Sequence, residues 1–200
     1  MERVPIKTNP KLFDEVVAKL QNLFADNLLW LDHAFGLCEF LAEVKDGKKF
    51  TSANIYRGKG EYSQIMPCRE LGNFCMFVLR DPQEIGKRDA QVIKSPISII
   101  FWYDMRDVRP ESDERPREAV KADILGILNR AHLPWLSVTR IYEKPEAVFS
   151  DFSYDHTENQ YLMSPYAGLR IDGIIMANVP CWSPESRKGD FNNDFNNDFD

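Results

Sequence analysis

One run constrains the fold more than any other: Ile97-Ser-Ile-Ile-Phe-Trp-Tyr103. β-Branched and aromatic side chains favour strands because they pack well on a pleated surface. A run that is apolar at nearly every position has no face left for water, so it belongs at the centre of a sheet. The question is what surrounds it.

Before this run, Leu12, Val16, Leu20 and Phe24 recur every four residues, widened by Phe13 and Val17. That spacing predicts an amphipathic helix, with Asn9 as N-cap, Pro10 in the first turn and Asp26-Asn27 at its end. The mixed apolar stretch 28–44 predicts one strand or two short ones. Asp46-Gly47 is a hairpin signal, and 50–56 returns as a strand. Gly58-Lys59-Gly60 is a turn without the spacing of a phosphate loop. Residues 62–66 predict a weak strand stopped by Pro67, and 74–79 a strong one ended by Asp81-Pro82.

After the central run, 106–117 is charged and contains two prolines, so it predicts a surface loop. A second helix is expected over 116–131, with Ala119, Ile124, Ile127, Leu128 and Ala131 on its apolar side. Residues 136–142 alternate as a strand does. Helical turns are expected within 145–152 and 157–163. A last strand covers 169–179, where Leu169, Ile171, Gly173 and Ile175 alternate with Arg170, Asp172, Ile174 and Met176. Strands are mostly consecutive, so the expected class is α+β: a largely antiparallel sheet with the N-terminal helix and the second helix on one face. The organisation expected is a domain over 1–182 and an extended acidic tail over 183–200.

The formal net charge of −6 argues against general nucleic-acid binding and against docking on anionic membranes, both of which need clustered Lys and Arg. No apolar run approaches the roughly 20 residues that span a bilayer. Residues Met1 to Pro5 carry no apolar signal-peptide core, so cytosolic synthesis and assembly are expected. Cys38, Cys68, Cys75 and Cys181 form no C-x-x-C pair and read as small hydrophobes rather than a disulfide framework.

Catalytic signatures for hydrolases, zinc proteases, phosphate loops and kinases are missing from the sequence. The best cluster is Asp151, Asp155, His156 and Glu158, which could hold a divalent cation or exchange protons. The plainer reading is a solvated loop anchored by Phe149, Phe152, Tyr154 and Tyr161. Asp32-His33 reads as a satisfied polar pair. His132 falls where a second-helix C-terminus would interact favourably with it. Arg106, Arg109, Arg115 and Arg117 are interleaved with acids, as on a solvated mixed-charge surface.

The tail departs from ordinary enzyme sequence. Phe191-Asn-Asn-Asp-Phe195-Asn-Asn-Asp-Phe199-Asp200 places three rings four residues apart. That spacing puts them on one face of a helix or of a strand. Asn and Asp favour neither, so the free tail is expected to lack fixed structure. Regular rings on a polar thread suit docking into pockets. Phe191, Phe195 and Phe199 are thus the candidate partner-binding residues, with the four arginines as further candidates.

The order of segments resembles the tail terminator and tail completion proteins of tailed bacteriophages. The likeness covers residues 10–180. It rests on the N-terminal amphipathic helix, Asn73-Phe74-Cys75-Met76-Phe77, the central run 97–103 and the helix at 116–131. The closing segment Pro165-Tyr-Ala-Gly-Leu-Arg-Ile-Asp-Gly173, followed by Cys181, completes it.

The resemblance implies a small α+β fold and a virion structural protein, not an enzyme. It implies a homo-oligomeric ring, usually a hexamer, at the head–tail junction, touching neck, tail-tube or sheath proteins. DNA passes through such a ring, and an acidic chain avoids gripping it. No cofactor, metal or membrane is implied. The acidic tail and the Arg-rich loop are expected to be complementary between subunits. The competing expectations are a metal-dependent enzyme using Asp151, Asp155, His156 and Glu158, and a soluble adaptor that binds through its tail.

Overall fold

The computed structural model describes residues 3–5, 9–45, 47–86, 92–108, 116–153 and 159–179. Helix α1 (Phe13–Asn27) buries Phe13, Val16, Val17, Leu20 and Phe24, the stripe expected from the spacing. Its start differs from the expectation. Asn9 and Leu12 both have positive φ, 56° and 52°, so the chain turns sharply and the helix begins three residues after Pro10. No side chain caps this end. At the other end, Arg3 donates to the carbonyls of Ala25 (3.0 Å) and Leu31 (3.2 Å). A cation there satisfies helix-end acceptors and opposes the negative end of the dipole.

The chain then builds an eight-stranded sheet. The strands are β1 (His33–Lys45), β2 (Lys48–Gly58), β3 (Glu61–Ile65), β4 (Phe74–Leu79), β5 (Glu84–Ile85), β6 (Val92–Asp104), β7 (Leu136–Tyr142) and β8 (Tyr166–Asn178). Their order is β3-β2-β1-β4-β6-β8-β7, with β5 pairing β6 outside this path. The expected hairpin turn and the expected glycine-flanked turn both form, and the second also joins a hairpin. Lys45 pairs with Lys48 around Gly47, and Gly58, Lys59 and Gly60 all take positive φ between β2 and β3. The sheet is antiparallel except where β1 runs parallel to β4. This is the expected α+β class.

β6 lies inside the sheet, between β4 and β8, and is buried on both faces from Ile97 to Asp104, while Val92, Ile93, Lys94 and Pro96 before it are partly or fully exposed. Ile97, Ile99, Phe101 and Tyr103 face one side, together with Cys75 and Phe77 of β4 and Leu169, Ile171 and Ile175 of β8. Helix α1 and helix α3 (Pro116–Arg130) cover that side through Leu20, Phe24, Val120, Ile124 and Ile127. The apolar side of α3 includes Val120, which the sequence reading omitted, while Ala119 and Ala131 are only half-buried. Residues 105–108 are not loop: they form a short helix, α2 (Met105–Val108).

The opposite side is also covered, which the expectation of helices on one face did not include. Helix α4 (Pro145–Val148) and the 3-10 turn Asn159–Leu162 pack there. Val148, Phe149, Phe152, Tyr161 and Leu162 lie against Ile100, Trp102, Phe74 and Met76. Trp102 donates its indole N–H to the Tyr161 carbonyl (2.8 Å) and stacks on Tyr166 at 5.0 Å. Gly168 permits the close approach: a Cβ there would sit 2.9 Å from Val148 Cγ1.

Candidate functional site

β8 positions the main polar cluster. Its alternation sends Arg170 and Asp172 to the face under α4, where Arg170 is buried. The Arg170 guanidinium donates to Asp172 from Nε (2.7 Å) and Nη2 (2.8 Å), and to Ser150 Oγ (2.7 Å) and the Ala147 carbonyl (3.0 Å) from Nη1. It also lies 5.0 Å from the Tyr142 ring. Ser98 of β6 donates to Asp172 (2.6 Å) and accepts from Arg80 Nε (2.7 Å). Arg80 in turn pairs with Asp151.

Burial opposes the Asp172 charge, but the hydrogen bonds from Arg170 and Ser98 and the neighbouring guanidiniums outweigh it and hold the carboxyl below its usual range. Two arginines and two aspartates thus lock the 145–153 segment onto the sheet.

Asp151, a member of the sequence-derived metal cluster, is therefore matched by Arg80 and lies 3.6 Å from Arg170. A carboxylate flanked by two guanidiniums is poorly placed to bind a cation. Asp155, His156 and Glu158 lie outside the described residues. Among the described residues no three His, Cys, Asp or Glu side chains gather as a metal site would require. Asp32 is structural, accepting from the backbone N–H of Asn73 (2.7 Å). His132 directly follows the last turn of α3, with positive φ.

Of the candidate partner-binding residues, Arg106 is described and is occupied within its own chain. It donates from Nε to Asp104 (3.0 Å) and from Nη2 (2.5 Å), and its guanidinium lies 5.6 Å from the Tyr166 ring. Arg106 and Asp104 therefore form a self-contained pair, and Asp104 is held below the ordinary carboxylate range chiefly by Arg106. Arg117 is exposed in the first turn of α3. Arg109, Arg115, Phe191, Phe195 and Phe199 lie outside the described residues.

The surface that sequence reasoning missed is at the β7 end of the sheet. β7 is an edge strand, exposed along most of its length. Leu136, Val138 and Ile141 pair with Ile175, Gly173 and Ile171, so they share the helix face. Leu136 packs against the helix-face core, but helix α3 leaves the other two open: Val138 is 40% exposed and Ile141 38%. A groove of about 570 Å³ runs between α3 and β7; Leu125, Leu128, Leu133, Pro134, Leu136 and Val138 line it together with the polar Asn129 and His132. At Pro134 it meets a second trough of about 300 Å³, which includes Trp135, Met176 and Asn178.

β7 bulges between Val138 and Arg140, and Gly173 allows it: a Cβ there would come within 2.5 Å of the Ser137 carbonyl oxygen. The signal available in the sequence was the alternation of 136–142, which shows a strand but not that it lies at an edge.

The opposite edge is β3, where Tyr62 is 41% exposed and donates to Glu39 (2.9 Å). No family model, no curated protein and no solved structure matches this chain. No helix among the described residues is long and apolar enough to cross a membrane.

Proposed function

We propose that this chain is a structural assembly protein that forms a homo-oligomeric ring, in the manner of a phage tail terminator or tail completion protein. The observation that carries the reading is that one continuous sheet ends in two unlike edges: β7, which exposes the aliphatic Val138 and Ile141, and β3, which is mostly polar and exposes Tyr62. A closed ring is made from repeated head-to-tail contacts, which need two different complementary surfaces on each copy. Unlike open strand edges provide them, because each carries main-chain donors and acceptors that a neighbour's strand can pair. The order of elements and the acidic charge support the resemblance to the ring proteins. In the proposed assembly, neck and tail proteins stack on the ring, and neither catalysis nor a cofactor is involved.

Native mass spectrometry of the purified chain tests this. A discrete ring of several copies is expected, reduced to monomer by Tyr62→Lys on β3 with the circular dichroism spectrum unchanged. A monomer at every concentration, including with neighbouring virion proteins present, would overturn the ring and favour an adaptor.

A further inference from the structure

We propose that the Phe-Asn-Asn-Asp segment folds back onto its own subunit and seats its phenylalanine rings in the groove between α3 and β7. The groove is open and mostly apolar: Leu125 and Leu128 of α3 and Leu136 and Val138 of β7 line it, with Asn129 and His132 as its polar lining. Burying apolar surface there is favourable at roughly 25 cal/mol per Å². Among the described residues nothing occupies it.

The place where the chain leaves the sheet selects the occupant. Asn178, the last residue of β8, lines the trough that joins the groove at Pro134. Val138 pairs with Gly173, five residues back along β8 from Asn178. At about 3.3 Å per residue the rings must travel on the order of 17 Å along the sheet. Phe191 lies 12 residues beyond Val179 (191 − 179), a length that reaches up to about 40 Å when extended. The connection is long enough with slack. A tethered ligand also meets its own groove at a far higher effective concentration than a neighbour's.

The ring spacing suits the target. Residues four apart stand on one face, so Phe191, Phe195 and Phe199 can all point toward one strip. As a strand the segment would also turn Asn193 and Asn197 to that face, next to the polar Asn129 and His132 of the lining, and leave the Asp side chains in water. The groove opens on the helix face of β7, above the plane in which its edge would pair with another strand. Tail docking therefore leaves the ring contact proposed above available and does not depend on it.

Two experiments on the full chain test the proposal. Amide hydrogen exchange across 136–142 is compared between the natural chain and the triple variant Phe191→Ala, Phe195→Ala, Phe199→Ala in dilute solution. Exchange about tenfold faster in the variant is expected, independent of protein concentration. Equal exchange in both overturns the proposal.

The second experiment pairs Val138→Cys with Phe195→Cys in a background of Cys68→Ser and Cys181→Ser. Mild oxidation is expected to give an intrachain disulfide at monomer mass. A disulfide-linked dimer would mean that a second copy's tail fills the groove, and would overturn docking within one subunit. Loss of ring assembly without change in either readout would count against the ring alone.

Discussion

The two faces of the sheet are built on different principles. The side under α1 and α3 is aliphatic and aromatic: Phe24 touches Phe101 edge-on at 5.1 Å and lies near Phe77 at 6.3 Å. The side under α4 combines rings with the charged network around Arg170. On the first, stability comes from volume filling and tolerates no gap. On the second, it also depends on each charge keeping its partner, because a buried ion left alone is costly. A face covered by regular helices can remain wholly apolar. One covered by a short helix and irregular chain must satisfy backbone groups as well, and Arg170 does so at the Ala147 carbonyl.

Substitutions can separate these principles. The largest effect is expected from Phe24→Ala, about 3–5 kcal/mol by chemical denaturation, because a fully buried ring leaves a cavity. Arg170→Met should cost about 3 kcal/mol by stranding Asp172, and the double variant Arg170→Met, Asp172→Leu should recover part of it. If the double variant is as unstable as the two single losses added, the network is not coupled and the contrast between the faces fails. Gly168→Ala should cost about 1–3 kcal/mol by pushing against Val148, a stiff β-branched neighbour.

A smaller effect follows from pH. Asp172 and Asp104 both have carboxyls held below the ordinary range. Each binds its proton more weakly when folded, so the stability it supplies is complete above about pH 4. That stability is lost as the pH falls from there through the depressed folded values. Asp172→Asn should flatten this acid limb in a denaturation series, whereas a helix-face substitution such as Ile99→Val should shift the whole curve without changing its slope.

The smallest expected effect is chemical. Burial pushes the Cys38 thiol up to about 12 and raises Cys75 as well. Neither should react with an alkylating reagent in the native protein at neutral pH, while half-buried Cys68 should.

Much of the helix face was legible, because a four-residue stripe and a continuous apolar strand each report their burial directly. Leu136 to Tyr142 was found to the residue from its alternation, which shows a strand without reporting how far it is buried. The other face was not. The alternation in β8 assigns Arg170 to a polar side, yet only the chain that crosses it decides whether that side is wet. Residues 145–153 and 159–162 cover it as short turns with no period to read. The start of α1 was misplaced because Asn9-Pro10 is a sound local signal overridden by the positive φ of Leu12.

The candidate site divides in the same way. Phe191, Phe195 and Phe199 stand out in the sequence by repetition alone, whereas the groove proposed to receive them could not be seen there. Its lining comes from separate segments, with Leu125 and Leu128 on a helix and Leu136 and Val138 on an edge strand.

By itself, then, the sequence determined the class of fold, the central strand and the two covering helices, because these follow from periodicity along a continuous stretch. Tertiary structure alone decided which strands became edges, which arginines became internal, and where apolar surface stayed open. Those properties depend on what lies across from a residue, and residues far apart in the chain supply it.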